Sequence, residues 1–357
     1  MNRMAAVPTL QERVTLPLLP LGVGLLGAAI LAGLLLGPAR IGADGLLAVL
    51  AHWLGAPLPP EHARDAAVIG VIRAPRVLLA ALVGAGLGAA GATMQGLFRN
   101  PLADPALIGV SSGAALAAVA AIVLAGPAFG ASAGLFGLWL LPIAAFIGGL
   151  GATLVMARLG RVGGAAPVAT LLLAGVAVNA LAGAITGLLI FMADDRQVRD
   201  ITFWTLGSLA GARWQHLPVI LLLVGLPSLL LCALARPLNA LLLGESEAYH
   251  LGVSVEALKR SAILLAAISV AAGVAFTGLI GFVGLVVPHV VRLVFGTDHR
   301  IVLPGAALLG AALLVLADLA ARSLASPAEL PVGVITALIG APFFLWLLRQ
   351  SGSGNGA

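Results

Sequence analysis

Charged residues are scarce in this 357-residue chain, where Asp, Glu, Lys and Arg together make up 9% of the sequence. An average soluble domain carries about 25% charged residues. Hydrophobic residues make up 61%, and the mean hydropathy is +1.13. A soluble globular fold is therefore excluded, and the long uncharged runs predict helices that cross a lipid bilayer.

Lysine and cysteine are each represented by a single residue, Lys259 and Cys232. A nucleotide-binding P-loop needs a lysine that reaches the phosphates, and Lys259 stands outside any G-x-x-x-x-G-K-[ST] pattern. A hydrolase nucleophile elbow and an H-E-x-x-H motif are also missing. We therefore predict no catalytic residue, no bound cofactor and no metal site in this chain. Cys232 lies in an apolar run and is predicted to be inert packing.

The basic residues, 19 against 14 acidic ones, give a formal net charge of +5. Such an excess can indicate nucleic-acid binding when the charges form a stripe with aromatic residues between them. Here the arginines stand singly between apolar runs. They are better explained as loop anchors and topology signals of a membrane protein, and nucleic acid is excluded as a partner.

Ten apolar runs predict ten transmembrane helices, and thus an all-helical polytopic protein in contact with the lipid bilayer. The eighth run is barely long enough to span, and it contains Pro288, His289 and Arg292. The predicted spans are residues 16–37, 77–97, 106–124, 135–156, 168–191, 217–234, 261–277, 281–295, 301–316 and 332–348.

Residues 73–113 place a polar turn between two apolar runs. The run 77–97 has no charge and is rich in Gly and Ala, which lets neighbouring membrane helices approach closely. Asn100-Pro101 and Asp104-Pro105 then predict a turn, because proline disfavours helix in the preceding residue and lacks a backbone donor.

This stretch resembles the FecCD-type permease subunits of ABC importers for vitamin B12, iron-siderophores and heme, and the resemblance extends over nearly the whole chain. Its motif residues are Arg73, Pro75, Arg76, Gly91, Gln95, Arg99, Asn100, Pro101, Leu102 and Ala103 in the first half, and Pro288, His289, Asp298, His299 and Arg300 in the second. We interpret the two histidines as structural rather than as metal ligands, since no Cys or carboxylate stands at ligand spacing.

The resemblance implies the fold of a type II ABC importer permease, with one transmembrane domain over residues 1–357. Two inverted five-helix halves, 16–191 and 217–348, are expected, followed by a disordered tail at 351–357. An internal echo agrees with two halves, because the Ala-Ala-Gly at residues 89–91 recurs at 271–273.

The resemblance also implies an assembly in the bacterial inner membrane. Two copies of the chain are expected to form a homodimer, with two ATP-binding subunits on one side and a periplasmic substrate-binding protein on the other. ATP and Mg are then bound by the partner ATPase and not by this chain. In this family the fifth and tenth spans line the pathway, which assigns residues 174–191 and 332–348 to its wall.

The distribution of basic residues predicts the orientation of the chain in the membrane. With the N-terminus inside, the inner segments hold the larger share of the basic residues, as expected for cytoplasmic loops. Arg73, Arg76 and Arg322 fall instead near outer ends of predicted spans. The resemblance makes them docking residues for acidic groups of the binding protein, and the alternative is that they snorkel from helix ends to the interface.

The polar stretch 236–260 predicts two short amphipathic helices joined at Gly244. Its resemblance to the family's coupling loop suggests that it inserts into the ATPase, and the alternative is a surface helix without a partner. The residues assigned to ATPase coupling are Gly244, Glu245, Ala248, Leu251, Gly252 and Val253.

Two questions stay open at this point, the energy source and the substrate. An ion-coupled carrier would need an intramembrane carboxylate, for which Asp318 is the candidate, although a structural ion pair with Arg322 one turn on is the alternative. The outer segment 194–214 resembles heme-importer permeases more than cobalamin ones, so heme is the expected substrate, with iron-siderophores and cobalamin as alternatives. The predicted wall has no His, Tyr or Cys to ligate heme iron.

Overall fold

The computed structural model describes residues 18–131, 135–161, 163 and 165–353. Every regular element in these ranges is a helix. The α-helices are α1 (Leu18–Leu35), α2 (Ala43–Trp53), α3 (Ala63–Ala67), α4 (Ala74–Leu97), α5 (Val110–Ala131), α6 (Leu135–Leu159), α7 (Val168–Phe191), α8 (Asp195–Thr205), α9 (Leu217–Ile220), α10 (Leu226–Ala233), α11 (Ala235–Leu242), α12 (Glu245–His250), α13 (Val255–Thr277), α14 (Val283–Phe295), α15 (His299–Leu324) and α16 (Val332–Ser353).

Apolar helices stand at all ten predicted spans, so the all-helical polytopic fold is confirmed. Within the described ranges, six helical stretches are long and apolar enough to cross a membrane, and four shorter apolar helices fall at the other predicted positions. The six are Pro60–Leu97, Trp139–Leu159, Val168–Phe191, Trp214–Ala233, Val255–Thr277 and His299–Leu324. The predicted fifth span matches its helix, α7, at both ends.

Several predicted boundaries were wrong because charged residues do not end these helices. The helical stretch that includes α4 begins at Pro60 rather than at residue 77, with a π-helical turn at Val68–Arg73. Helix α13 begins at Val255 rather than at residue 261, and α15 continues to Leu324 rather than ending at residue 316. The buried charged side chains of these helices, among them Arg76, Lys259 and Asp318, have partners inside the protein, so the helices can continue past them.

The eighth membrane segment is a half-length helix. Helix α14 has 13 residues, which is about 20 Å against a hydrocarbon core of about 30 Å. Non-helical residues 278–282 precede it, and Phe282 has a left-handed backbone with φ of 66°. A Cβ on Gly278 would overlap the backbone of Trp204, so this irregular segment packs against protein, where it is tolerated at membrane depth.

Helices α4 and α15 form the centre of the molecule, and nearly every side chain of α4 is buried. Their backbones touch at small residues, since a Cβ on Gly84 would overlap Gly310 and a Cβ on Gly88 would overlap Ala306. Without a hydrophobic drive between helices in lipid, such close packing is what holds membrane helices together. The Gly/Ala run that suggested close helix packing therefore lies at the core.

Two helices outside the spans, α2 and α8, were not predicted. Helix α8 begins with a capping box, in which Asp194 accepts from the backbone of Gln197 and the Gln197 side chain accepts from the backbone of Asp194. At the other end of the chain, α16 continues to Ser353. The rest of the predicted disordered tail, 354–357, lies outside the described residues, as do the first residues of the predicted span 16–37.

Candidate functional site

We call the end of the molecule where α4 and α6 end and α13 and α15 begin the inner end, and the opposite end the outer end. The predicted coupling segment lies at the inner end as two short helices, α11 and α12, as expected from its pattern. Gly244 joins them with φ of 126°, a conformation that favours glycine. Gly252 follows α12 with φ of 84°, and the Val253 N–H donates to the Ala248 carbonyl at 3.0 Å.

The coupling segment exposes large apolar side chains beyond the membrane spans. Leu243, Tyr249 and Leu251 are 66%, 71% and 63% exposed, whereas Ala248 on the opposite side is fully buried. Clustered apolar residues at a polar surface mark an interaction site. The geometry therefore fits a helix pair that covers the permease with one face and presents the other to a partner.

Lys259 attaches this helix pair to the membrane helices. Its side chain is 2% exposed, and Nζ lies 2.7 Å from the Glu245 carboxylate of α12 and 3.3 Å from that of Glu256 in α13. Nζ also donates to the Ala166 carbonyl at 3.0 Å, just before α7. One cation thus connects α12, α13 and the start of α7.

Asn239 makes a second attachment, from α11 to the start of α15. Its Nδ2 donates to Asp298 Oδ1 at 2.6 Å, and its Oδ1 accepts from the His299 backbone N–H at 2.8 Å. Asp298 caps α15 by accepting from the Arg300 N–H. The motif residues Asp298, His299 and Arg300 therefore form a helix start that holds the coupling segment.

Gln95 joins α4 to α14, and the other motif residues of the first half lie in the turn after α4. Gln95 is buried, its Nε2 donates to the carbonyls of Gly284 and Leu285, and its Oε1 accepts from Arg292. Just beyond α4, Arg99 has a positive φ of 49°, and Asn100 Oδ1 accepts from the backbone N–H two residues on, next to the exposed Pro101. Burial raises the pKa of Asp104, partly offset by the N–H that it accepts from Ala106.

The two motif histidines, His289 and His299, are held by contacts within the protein. His299 is 1% exposed, with Nδ1 2.9 Å from Asn239 Oδ1 and Nε2 packed against Gly96. His289 follows Pro288 in α14 and makes an edge contact with Phe343 of α16, with ring centroids 6.0 Å apart. In the part of the chain that the structure describes, no group of three or more His, Cys, Asp or Glu residues could hold a metal ion.

Arg73, Arg76 and Arg322 come together at the outer end and are 2%, 5% and 4% exposed. Arg76 Nε donates to both oxygens of Asp318 at 2.9 and 3.0 Å, and its Nη1 donates to Glu329 at 2.8 Å. Arg322 Nε lies 3.7 Å from Asp318. We call these four residues, Arg76, Asp318, Arg322 and Glu329, the outer cluster.

Backbone carbonyls of α1 and the turn after it complete this arrangement. Arg73 donates to the carbonyls of Leu34, Leu35 and Ala39, and Arg322 donates to that of Gly33. The interpretation of Asp318 and Arg322 as a structural ion pair therefore agrees with the geometry. The arginines do not snorkel at helix ends, since their guanidinium groups are turned to internal acceptors.

Helix α7 exposes an apolar face over its whole length. Its polar side chains bond within the chain: Thr170 donates to Gly160 and Pro167, Asn179 donates to Ala106, and Thr186 donates to Ala182. The exposed side chains of this face include Leu173, Val176, Leu181, Leu188 and Phe191, each more than half exposed.

Comparison with known proteins identifies the class of this membrane protein. Residues 25–350 match the family model described as the FecCD transport family. The chain belongs to the FecCD transport family. It is the permease subunit of an ABC importer, so the resemblance read from the motif residues is confirmed and the ion-coupled carrier is not supported.

Two curated relatives are similar to nearly the same degree. The chain is 50% identical over 287 residues to the hemin transport system permease protein HmuU of Yersinia pestis, covering 80% of this chain and 84% of the relative. It is 49% identical over 291 residues to the cobalamin import system permease protein BtuC of Halobacterium salinarum, covering 82% and 75%.

A solved structure supports the same fold. It is described as an inward-facing conformation of a metal-chelate type ABC transporter and is 33% identical to this chain, with a TM-score of 0.80. The match covers 94% of this chain and 99% of that one.

Sequence reasoning found the motif residues but missed several of their partners. The burial of Lys259 was not predicted, although its partners Glu245 and Glu256 lie near it in sequence. Asn239 and Glu329 were not predicted, because each is joined to its partner across a long stretch of sequence. The pairing of Gln95 with Arg292, 197 residues apart, was missed for the same reason. The available signal was that buried charges in a membrane protein need partners.

Proposed function

We propose that this permease moves heme across the bacterial inner membrane into the cytoplasm. In this proposal two copies form a homodimer, two ATP-binding subunits bind ATP and Mg at the inner end, and a periplasmic heme-binding protein delivers the substrate at the outer end. Twofold closure is the commonest way to build an oligomer from one chain.

The exposed face of α7 is the observation that carries the choice of heme. Every polar side chain of α7 is satisfied within the chain, so the face offers apolar contacts and no free hydrogen-bonding group. A porphyrin has two broad apolar faces, whereas the rim of cobalamin carries many amides. Hydrogen-bonding groups left unpaired on a dry wall are costly, which favours heme, whose polar groups are two propionates at one edge, over cobalamin with its many amides.

Helix α16, the other proposed lining helix, has the same character. Its Thr336 is buried and donates to Gly333, and exposed side chains include Leu338, Ile339, Leu345 and Trp346. No His, Tyr or Cys occurs in residues 174–191 or 332–348. Heme would therefore slide past this wall without axial ligation, as release into the cytoplasm requires.

Identity to named relatives does not decide the substrate, since the hemin and cobalamin permeases match almost equally well. The test is uptake into proteoliposomes that contain the permease and its ATPase, with binding protein loaded with hemin, cobalamin or a ferric siderophore. Hemin should accumulate in an ATP-dependent manner, measured by its absorbance after pyridine treatment. Equal or faster uptake of cobalamin or the siderophore would reject heme as the preferred substrate.

Helix α15 supports a mechanical link between the ATPase and the binding protein. Its inner end is held to α11 by Asn239 and its outer end carries Asp318 and Arg322. The helix has 26 residues, or about 39 Å. A displacement of the coupling segment by an ATPase would thus act on a rigid element that ends in the outer cluster.

Arg73, Arg76 and Arg322 keep a docking role in this proposal, but an indirect one. Since all three guanidinium groups are buried against internal acceptors, they would position the loop after α15 for the binding protein rather than contact it. Glu329 belongs to that loop and is 43% exposed at its side chain, so it can be changed without opening the core.

Glu329→Gln should therefore weaken association with the binding protein, with only a small fall in the unfolding temperature, because Glu329 is partly exposed and Arg76 keeps its pairing with Asp318. Association can be measured with permease in lipid discs, and Glu61→Gln, an exposed outer residue, serves as the matched control. Reversing all three arginines to Glu would be a poorer test, because it would place carboxylates in the buried cluster. Equal association of the two Gln variants would remove the docking role.

A further inference from the structure

A cavity opens between α6 and α13 at the inner end of the molecule. It has a volume of about 220 Å³ and combines an apolar part with a basic rim. The apolar part is lined by Leu150 and Leu154 of α6 and by Ile263, Leu264 and Ala267 of α13. Leu154 and Leu264 are 45% and 40% exposed, so the cavity opens sideways, towards the surface that faces lipid.

The rim of this cavity carries three exposed arginines, Arg158, Arg161 and Arg260. They stand one or more turns closer to the inner end than the apolar lining, since α6 ends at Leu159 and α13 begins at Val255. Within the described ranges none of them forms a salt bridge, whereas the other rim charges, Lys259 and Glu256, are paired with each other. The rim thus has an excess of positive charge.

We propose that this cavity binds an anionic phospholipid of the inner leaflet. The phosphate and headgroup would lie among Arg158, Arg161 and Arg260, and an acyl chain would fill the apolar groove between α6 and α13. Guanidinium groups suit this role because their planar fork donates two parallel hydrogen bonds to a phosphate. Basic pockets between membrane helices on the cytoplasmic side are a known form of lipid recognition.

The order of the lining favours a lipid over a free phosphate ion. Arginine at the membrane boundary followed by leucine at depth matches a molecule that is anionic at one end and apolar at the other. A phosphate ion would use only the rim. Thr153, the one uncharged polar side chain of the lining, is buried and donates to the Gly149 carbonyl, so it offers no competing polar site at depth.

The site borders the attachment of the coupling segment. Lys259 lines the cavity and at the same time binds Glu245 of α12. A bound lipid would therefore lie against the first turns of α13, where Lys259 attaches the coupling segment. This consequence rests on the proposed function, whereas lipid binding itself does not.

Native mass spectrometry of the detergent-purified permease–ATPase complex tests the proposal. The probes are phosphatidylglycerol, phosphatidylcholine of the same chain length, and inorganic phosphate, titrated onto delipidated protein. Phosphatidylglycerol should bind at least about 10-fold more tightly than phosphatidylcholine. The variant Arg158→Gln/Arg161→Gln/Arg260→Gln should lose on the order of 100-fold in phosphatidylglycerol affinity, at a roughly fivefold loss for each arginine.

Two further variants separate the sources of binding. Arg236→Gln/Arg300→Gln/Arg349→Gln removes the same charge from exposed inner positions away from the cavity and should bind phosphatidylglycerol like the wild type. Leu264→Trp fills the groove with all arginines present, and it should lower lipid binding without changing any binding of inorganic phosphate.

Three results would overturn the proposal. The first is an unchanged phosphatidylglycerol affinity in the rim variant, and the second is an equal loss in the inner control variant. The third is unchanged lipid affinity in Leu264→Trp, which would reduce the site to a phosphate-binding rim. If the rim variant loses its ATPase while still binding lipid, the arginines bind the partner protein instead.

Discussion

Replacing Asp318 by Asn should damage the structure strongly although it hardly changes the shape of the side chain. Asp318 is 1% exposed, receives two hydrogen bonds from Arg76 and lies 3.7 Å from Arg322. Asparagine would leave two buried guanidinium groups side by side, with the half-exposed Glu329 as the remaining carboxylate of the cluster. Removing one partner of a buried ion pair costs about 3–5 kcal/mol.

A double-mutant cycle can measure this cost. Asp318→Asn should lower the free energy of unfolding by about 3–5 kcal/mol. Adding Arg76→Gln should cost less than the two single changes together, by about 1–3 kcal/mol, because it removes one of the uncompensated charges. Glu61→Gln, an exposed carboxylate at the same end, should stay within about 0.5 kcal/mol.

The assay is urea unfolding of the purified permease in detergent, followed by the fluorescence of its five tryptophans. Asp318→Asn with the stability of Glu61→Gln would refute the reasoning, as would strict additivity with Arg76→Gln. Asp318→Asn molecules that do assemble should also take up substrate with ATP in the presence of an uncoupler. Uptake that collapses with the uncoupler and ignores ATP would instead indicate a proton-coupled carrier.

Three other predictions follow from single positions. Ala248→Pro removes the backbone N–H of α12 that donates to the Gly244 carbonyl, at a cost of about 3 kcal/mol or more, and should stop transport while the chain still inserts. The control Ser246→Pro, in the first turn of α12, should be tolerated. Gly91→Ala should destabilise by about 1–3 kcal/mol because its Cβ would overlap the backbone of Gly284, whereas Gly24→Ala in open space should be neutral or stabilising; thermal unfolding in detergent compares the two. The purified subunit alone should hydrolyse no ATP in a phosphate-release assay, and turnover by the single chain would contradict the role assigned to a partner.

The sequence predicted the number and order of the membrane segments well, because each span is a long apolar run that can be recognised from consecutive residues alone. Span 168–191 agrees with α7 at both ends. The predicted span boundaries were wrong where charged residues lie inside helices. Residues 73, 76, 318 and 322 were predicted to lie at or beyond the ends of spans. Their burial depends on partners far away in the chain, such as the contact of Arg76 with Asp318 across 242 positions, and hydropathy cannot reveal such contacts.

The coupling segment could be predicted in form but not in its attachments. Helical spacing and the glycine at residue 244 were enough to predict two short helices with a bend between them. Which polar residues hold those helices to the membrane domain depends on tertiary contacts, such as that of Asn239 with Asp298. The two inverted halves, 16–191 and 217–348, stay a prediction.

Lys259 illustrates how far a rare residue can be read from sequence. From the sequence, its position showed only that the chain has no nucleotide-binding P-loop. In the structure it is a buried cation with two carboxylate partners, each about 40% exposed, at the junction of α12 and α13. Because the partners keep contact with solvent and the ammonium does not, the desolvation cost falls mainly on Lys259. This cation connects the proposed coupling segment to a membrane helix, and a neutral residue there would leave α12 attached mainly through α11.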